Sequence, residues 1–203
     1  KMIDKLAGIG VDAVKFQLTI PESLFSLDSF KPKYQRNNVK NISPIEMSKK
    51  NQLSNDNHIL LYQACQKVGI DYLCSAFDIE SLKFIDSKFD LNYFKIASGE
   101  IFSLDMLEYI SKRKKPVILS TGMATYEEIE ASITDINRIF KKEITILHCI
   151  SNYPTPYKDV NLNVMLELKK RFGYPVGFSD HTIGNECALA SVSMGASIIE
   201  KHF

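Results

Sequence analysis

Ionisable side chains recur at the ends of short apolar runs in this sequence. Lys15, Lys95, Glu100, His181 and His202 all occupy such positions, with serines close by in the chain. Buried lysine and glutamate side chains are rare unless they are paired or functional. Two ammonium groups with serine hydroxyls are the donors that a phosphate or a carboxylate needs. The pattern predicts an anion-binding site, although one strand lysine alone would more often be structural.

Three of the four histidines end apolar runs, whereas His58 lies on a predicted helix and is expected at the surface. His181 and His202 fall on successive runs, with Asp180 and Glu200 close by. Two imidazoles from neighbouring strands could hold a divalent cation or orient its ligands. The residue types favour Mn²⁺ or Mg²⁺ and leave Zn²⁺ or Fe²⁺ open.

Residues 152–156 (NYPTP) predict a rigid turn, because each proline fixes its own φ and restricts the residue before it. This turn is either a plain loop corner or a device that presents Tyr153 over the site. His148, four residues earlier, could line the same site or be a satisfied core residue.

Seven short apolar runs predict the strands that would carry these groups. Each run is too short for a helix and is bounded by turn residues, as expected of parallel strands buried on both faces. The runs are Ala13–Leu18, Tyr72–Phe77, Tyr93–Ser98, Pro116–Thr121, Ile144–Cys149, Val176–Asp180 and Ser197–His202.

Helix signals lie between the predicted strands. Residues 43–46 (SPIE) and 125–128 (TYEE) each form a capping box, and Ser103 is expected to cap the helix that follows it. A helix is also expected over Met2 to Ala7. The stretch from about Thr19 to Lys40 is predicted to be irregular, and loops of this length are usually functional or mobile.

Strands that alternate with helices predict an α/β fold with a parallel sheet. A doubly wound sheet should show a GxGxxG turn after an early strand, and none is present. Seven successive units favour a (β/α)8 TIM barrel, here lacking the first strand and the last helix. Barrel enzymes build their sites at the carboxyl ends of the strands, where the polar groups lie. We therefore expect residues 1–203 to be a TIM-barrel catalytic domain from a longer protein.

Composition excludes several classes of function. The 203 residues are 45% hydrophobic and 24% charged, with a net charge of +1. That balance does not favour a nucleic-acid or membrane-surface partner. No apolar run reaches the length of about 18 residues that a membrane span needs. Four widely spaced cysteines predict buried, reduced thiols in a cytoplasmic protein; they are Cys65, Cys74, Cys149 and Cys187.

Several short motifs occur in a set order along the chain. They are residues 15–17 (KFQ), 95–100 (KIASGE), 119–123 (LSTGM), 147–149 (LHC), 153–156 (YPTP), 179–182 (SDHT) and 200–203 (EKHF). Together they resemble the sialic acid synthase family over essentially the whole chain, although no single motif is specific. The resemblance implies a metal-dependent condensation of phosphoenolpyruvate with N-acetylmannosamine or a related 2-acetamido hexose. The products would be a sialic-type nonulosonic acid and phosphate, with C–O cleavage.

The resemblance also implies roles for individual residues. Phosphoenolpyruvate would be bound by Lys15, Lys95, Ser98, Ser120 and Ser179. The sugar would face Gln17, Glu100 and Tyr153. His181 and His202 would bind Mn²⁺ or Mg²⁺, and the catalytic roles would fall to Glu100, Lys95 and His202.

The chain departs from the family pattern in two places. The family usually shows Ser-Thr-Pro-Phe where residues 74–77 read CSAF, so Ser75 and Phe77 remain as expected substrate contacts without the proline. Residues 150–152 read ISN where the family usually begins with Thr and an Asn or Thr, and Ser151 is the expected substrate contact there. This change keeps open a legionaminic or pseudaminic acid synthase that acts on a 6-deoxy di-acetamido hexose.

Two further alternatives remain at this stage. The first is a barrel aldolase that forms a Schiff base, which Lys95 on a strand would suit. The second is a binding or scaffold relative that has lost catalysis, and the intact set of Lys, Glu and His residues argues against it.

The family's acidic first-strand residue and its C-terminal antifreeze-like domain would lie outside this chain. In the family that domain reaches the partner subunit's site, so we expect a homodimer and no activity from residues 1–203 alone.

Overall fold

The computed structural model describes residues 1–24 and 43–203. The chain forms two compact units, Lys1–Phe94 and Lys95–Phe203. Helices and strands alternate in both, as the sequence predicts. Within the described part of the chain, no helix combines the length and the apolar character that a membrane crossing requires.

The first unit contains a parallel pair of strands. Its elements are α1 (Met2–Gly8), β1 (Ala13–Leu18), α2 (Pro21–Leu24), α3 (Pro44–Asn51), α4 (Asn55–Val68), β2 (Asp71–Ala76) and α5 (Ile79–Lys88). In the pairing of β1 with β2, Lys15 lies opposite Leu73 and Gln17 lies opposite Ser75. Both lysine and glutamine therefore point to the same face of β1, two residues apart.

The second unit contains a run of parallel strands with helices between them. Its elements begin within β3 (Phe94–Ile96) and continue with α6 (Leu104–Ser111), β4 (Val117–Ser120), α7 (Tyr126–Ile136), β5 (Ile144–Cys149), α8 (Asn163–Phe172), β6 (Val176–Asp180), α9 (Glu186–Ser193) and β7 (Ile199–Lys201). Strands β4 to β7 pair in sequence order, all parallel. Leu119, Ile146, Met165 and Phe178 are almost fully buried and form part of this unit's core.

Strands β6 and β7 approach closely at Gly177. A Cβ atom there would lie 2.4 Å from the carbonyl oxygen of Ile198 and 2.6 Å from Cδ2 of Leu147. Only a residue without a side chain fits in this space. The register that follows places Ser179 opposite Glu200 and Asp180 opposite Lys201.

Both predicted capping boxes are confirmed. Ser43 accepts from the backbone N–H of Glu46, Thr125 accepts from that of Glu128, and each glutamate binds the N–H of its cap residue. Ser103 occupies the predicted N-cap position of α6, but the prediction that its side chain caps the helix is wrong. Ser103 precedes α6, but its hydroxyl donates to the Glu100 carboxylate and caps no backbone N–H. The charge-assisted bond to Glu100 fixes the direction of the Ser103 side chain, and in that orientation its oxygen accepts from no N–H of the helix.

The predicted strand bounds agree with the structure to within about two residues. The run Tyr93–Ser98 shortens to β3 because a 3₁₀ turn begins at Ser98. The stretch from Thr19 to Lys40 was predicted to be irregular, but α2 occupies Pro21–Leu24. Residues 25–40 of that stretch lie outside the described residues.

All four cysteines are free thiols, as predicted. Cys65, Cys74 and Cys149 are buried, whereas Cys187 on α9 is partly exposed, so the prediction of burial is wrong for that residue. Burial raises the pKa of Cys65 to about 11 and that of Cys74 to about 12. Both thiols are therefore protonated at neutral pH and chemically inert.

The prediction that His58 lies at the surface is wrong, because its side chain is 0% exposed. Its Nδ1 lies 2.6 Å from the hydroxyl of Tyr72, and the ring of Phe16 meets it edge-on. His58 shares one face of α4 with Tyr62 and Cys65 at helical spacing, and this face packs on β2. Burial lowers the pKa of His58 and raises that of Tyr72.

Buried histidines predict a loss of stability in acid. Burial lowers the pKa of both His58 and His148, so the unfolded chain takes up these protons first as the pH falls below about 6.5. The stabilisation is complete above that pH and is lost on the way down to the folded pKa. We expect the free energy of unfolding in urea to fall from about pH 7.5 to about pH 5.5. His58→Gln should reduce this fall, and an unchanged pH slope would contradict the assignment.

Candidate functional site

Lys95 on β3 is a buried cation in the second unit. Its Nζ donates to Oγ of Ser120 at 2.7 Å and to the carbonyl of Ile96 at 3.0 Å. It lies 3.7 Å from Oε2 of Glu200 on β7, and the two side chains are 2% and 20% exposed. A charge this deep needs partners, and here one carboxylate and two oxygen acceptors supply them.

Glu200 links Lys95 to Ser179 on β6. Oγ of Ser179 donates to Oε1 of Glu200 at 2.9 Å and lies 3.3 Å from Nε2 of His181. A serine hydroxyl has one hydrogen, and in this arrangement it goes to the carboxylate. The result is a continuous set of contacts from a buried ammonium to an imidazole.

His181 is oriented by its other ring nitrogen. Nδ1 lies 2.7 Å from the carbonyl oxygen of Ile150, and a carbonyl can only accept. In the neutral ring Nδ1 therefore carries the hydrogen, and Nε2 is the nitrogen with the lone pair. The backbone is also held, because the N–H of Thr155 donates to the His181 carbonyl at 2.9 Å.

Three rings cluster at the ends of β5, β6 and β7. The centroids of Tyr153 and His181 are 4.1 Å apart, and those of His181 and His202 are 5.3 Å apart. Together with Asp180, Thr182 and Lys201 they line a cavity of about 280 Å³. No group of three or more His, Cys, Asp or Glu side chains suited to a metal ion occurs among the described residues. A cation at this place would therefore take two imidazoles from the described chain.

Ser98 and Ser151 meet at Gly122. The N–H of Gly122 donates to Oγ of Ser98 at 2.9 Å, and Sγ of Cys149 lies 3.0 Å from the same oxygen. A Cβ atom on Gly122 would lie 2.6 Å from Oγ of Ser151, 2.8 Å from Sγ of Cys149 and 3.0 Å from Oγ of Ser98. The two hydroxyls can come this close only because residue 122 has no side chain.

Glu100 is the buried carboxylate of the turn that follows β3. Glu100 is 8% exposed, and its carboxylate accepts a hydrogen bond from the hydroxyl of Ser103. Because that turn is only three residues long, Ser98–Glu100, the carboxylate lies two positions from the serine that meets Gly122. The short turn thus presents an acceptor and a hydroxyl together.

The remaining predicted site residues belong to the first unit. Lys15 and Gln17 share a face of β1 and are partly or fully exposed, and Phe77 follows β2. Ser75, opposite Gln17, is 0% exposed, and its Oγ has no hydrogen-bond partner among the described residues. Gln17, Ser75 and Phe77 lie at or just beyond the carboxyl ends of their strands, whereas Lys15 is the third of the six residues of β1.

His148 is a core residue, which decides between the two interpretations that the sequence leaves open. Its Nε2 lies 2.7 Å from the carbonyl of Val160, and its ring stacks on Phe178. Burial lowers its pKa, so the ring is neutral. Three residues that touch the predicted ones, Glu200, Gly122 and Cys149, were not among the predicted site residues, although Glu200 was placed close to the two histidines. Only Glu200 had a signal, since it stands two residues before a strand-end histidine, just as Ser179 does.

The NeuB family model matches residues 2–203, and the chain belongs to the NeuB family. It is 39% identical over 199 residues to the N,N'-diacetyllegionaminic acid synthase of Legionella pneumophila, covering 96% of this chain and 56% of that protein. The synthase of the same name from Campylobacter jejuni is 40% identical over 206 residues, covering 100% and 61%. The N-acetylneuraminate-9-phosphate synthase of Drosophila melanogaster is 29% identical over 204 residues, covering 100% and 55%. The chain thus spans somewhat over half the length of these relatives.

Solved structures match the fold. The N-acetylneuraminic acid synthetase of Leptospira borgpetersenii aligns with a TM-score of 0.87 and 31% identity, covering 100% of this chain and 66% of that one. The DAHP synthase of Thermotoga maritima aligns with a TM-score of 0.70 and 18% identity, covering 98% and 54%. The α/β barrel class and the resemblance to sialic acid synthases are confirmed by these matches.

The close packing at Gly122 predicts a sharp effect of one methyl group. Gly122→Ala should push Ser98 and Ser151 apart and weaken binding of inorganic phosphate by roughly tenfold, the effect of one lost charge-assisted hydrogen bond. Gly99→Ala is the matched control, because a Cβ there would have nothing within 4 Å. Titration calorimetry measures both. Equal phosphate affinity in the two variants would remove Gly122 from the predicted anion site.

Proposed function

We propose that this chain is part of an enzyme that condenses phosphoenolpyruvate with a 2-acetamido hexose to give a sialic-type nonulosonic acid and phosphate. The observation that carries the proposal is a series of contacts across the second unit. Lys95 on β3 pairs with Glu200 on β7, and Glu200 is linked through Ser179 to His181, whose ring lies beside that of His202. Membership of the NeuB family supports it, as do the names of the two N,N'-diacetyllegionaminic acid synthases and the N-acetylneuraminate-9-phosphate synthase among the relatives.

The anion end of the proposed site is built on Lys95. Its ammonium would pair with the phosphate or carboxylate of phosphoenolpyruvate, and Ser120, which already accepts from it, would donate its own hydroxyl hydrogen. Ser98 would supply a further hydroxyl in the same unit, and Ser179 would do so by turning its hydrogen from Glu200 to the anion. Lys15 and Ser75 of the first unit remain expected contacts through the family resemblance.

The condensation joins C3 of phosphoenolpyruvate to the aldehyde carbon of the sugar. Water then adds at C2, and phosphate leaves with cleavage of its C–O bond. Glu100 would accept the proton of that water or steady the developing positive charge. Its orientation is fixed by the hydroxyl of Ser103, which suits a group that must accept from one direction.

We also propose that His181 and His202 hold Mn²⁺ or Mg²⁺. The donor set fits, because the hydrogen on Nδ1 of His181 is bound by a backbone carbonyl and the lone pair is on Nε2. When bound, such a cation polarises the aldehyde oxygen of the sugar. Tyr153 packs against His181 and fixes the plane of the ring.

The acceptor we favour is a 6-deoxy di-acetamido hexose, with N-acetylmannosamine as the alternative. Two relatives at 39% and 40% identity are named as N,N'-diacetyllegionaminic acid synthases, whereas the N-acetylneuraminate-9-phosphate synthase is 29% identical. We propose a cytoplasmic homodimer on the same family grounds.

The Schiff-base alternative is disfavoured by the contacts of Lys95. A Schiff base needs a neutral amine, and this Nζ donates to two oxygens beside a carboxylate. Such an arrangement stabilises the ammonium form.

Product analysis tests the reaction. The full-length protein that contains this chain, given phosphoenolpyruvate, Mn²⁺ and either sugar, should release phosphate and form a nine-carbon acid, faster with the di-acetamido hexose. With ¹⁸O in the bridging oxygen of phosphoenolpyruvate, the label should leave with phosphate. Label retained in the acid would rule out C–O cleavage, and trapping of pyruvate by borohydride would favour the Schiff-base route.

Lys95→Ala tests the anion site. Loss of the buried charge should raise the KM for phosphoenolpyruvate and lower kcat/KM by about a hundredfold or more, because a buried charge pair is worth about 2–5 kcal/mol. Lys112→Ala is the control, since that lysine is half exposed and pairs only with Glu108 among the described residues. Parallel kinetics for the two variants would remove Lys95 from the site.

A further inference from the structure

Asp180 and Lys201 form an ion pair beside the two histidines. Nζ of Lys201 lies 2.8 Å from Oδ2 of Asp180, with side chains 26% and 0% exposed. The two residues lie opposite each other at the last paired position of β6 and β7. His181 and His202 follow them directly, so both imidazoles stand just beyond the end of the backbone pairing.

The same pair holds the residue after His181. Oδ1 of Asp180 accepts from N and Oγ1 of Thr182 at 2.8 and 2.7 Å. Nζ of Lys201 donates to the carbonyl of Thr182 at 3.0 Å. The residues on both sides of His181 are therefore bound within one ion pair. Its backbone cannot rotate without breaking several charge-assisted hydrogen bonds.

A second side-chain contact joins β6 and β7 on the opposite face of the two strands. Side chains alternate along a strand, so Ser179 and Glu200 share one face and Asp180 and Lys201 share the other. Ser179 donates to Glu200 at 2.9 Å. Strand ends commonly fray, but these two are bound on both faces at the last two paired positions.

Stability alone is a weak reason for such a pair. A buried carboxylate is destabilising unless it is paired, and apolar residues of similar volume often stabilise as well or better. Burial acts to raise the pKa of Asp180, yet hydrogen bonds from Lys201 and Thr182 hold it below its usual value. A fixed geometry for the neighbouring groups is what an ion pair adds.

We propose that the Asp180–Lys201 ion pair positions His181 and His202 for one divalent cation, an inference that rests on the proposed function. Neither member touches the cation, because both oxygens of Asp180 are engaged by Lys201 and Thr182. They are positioning residues. Two ligands from two strands must converge on one ion to within about half an ångström, and the pair fixes the strand ends that carry them.

The test is Mn²⁺ binding to the full chain without substrates, followed by electron paramagnetic resonance. Asp180→Asn and Lys201→Met should each weaken Mn²⁺ binding by roughly 10–100-fold, the usual effect of losing a group that orients a metal ligand. Lys201→Arg, which keeps the charge, should restore most of the affinity. Glu127→Gln is the control, because it breaks an exposed ion pair with Arg171 in the same unit; its effect should stay within about threefold.

Phosphoenolpyruvate binding and the melting temperature of the metal-free protein separate positioning from general damage. We expect Lys201→Met to leave phosphoenolpyruvate binding close to the parent value. Its melting temperature should fall, because the buried Asp180 carboxylate is left unpaired, but should stay above the temperature of the binding assays. If Asp180→Asn fails to fold, Lys201→Met decides the question, since its side chain is partly exposed. Mn²⁺ affinity equal to the parent, or an equal loss of Mn²⁺ and phosphoenolpyruvate binding, would overturn the positioning role. A parent that binds phosphoenolpyruvate but no Mn²⁺ would overturn the inference and leave the anion site standing.

Discussion

The Lys95 ammonium is almost completely withdrawn from water, and the arrangement of the second unit follows from the need to neutralise it. Its side chain is 2% exposed, and the carboxylate of Glu200 and the oxygens of Ser120 and Ile96 surround it. An isolated buried charge would cost many kcal/mol. Because the neutralising carboxylate comes from β7, the pairing of β7 with β6 has to be correct before Lys95 can be buried.

Glu200 in turn determines what its neighbours can do. It takes the hydrogen of Ser179, which fixes the direction of that hydroxyl, and Ser179 lies against the imidazole of His181. Contacts of this kind in low-dielectric surroundings polarise one another and are best regarded as one unit. The loss of one member therefore affects groups that it does not touch.

Signals local in the sequence predicted most of the fold. The capping boxes at Ser43 and Thr125 need only residues within four positions of each other, and both form as predicted. His58 was misplaced although its spacing to Tyr62 and Cys65 marks the buried face of α4. The prediction followed the polarity of histidine, whereas helical periodicity places His58 on the buried face of the helix.

The strand-end positions of the ionisable residues were also predictable, because each follows an apolar run. Their partners were less so. The approach of Ser98 and Ser151 at Gly122, and the pairing of Asp180 with Lys201, join residues that are distant in the sequence. Such contacts depend on the register between strands, which residue types alone do not specify.

Gly177 restricts the register in which β7 can pair with β6. The carbonyl of Ile198 occupies the volume that any side chain at position 177 would need. If β7 slid along β6 by two residues, that carbonyl would lie beside Ser179 or Pro175, each of which carries the Cβ atom that Gly177 lacks. The absence of a side chain at position 177 therefore favours one register between the two strands. In that register Ser179 lies opposite Glu200 and Asp180 lies opposite Lys201, two and three residues beyond Gly177 on β6.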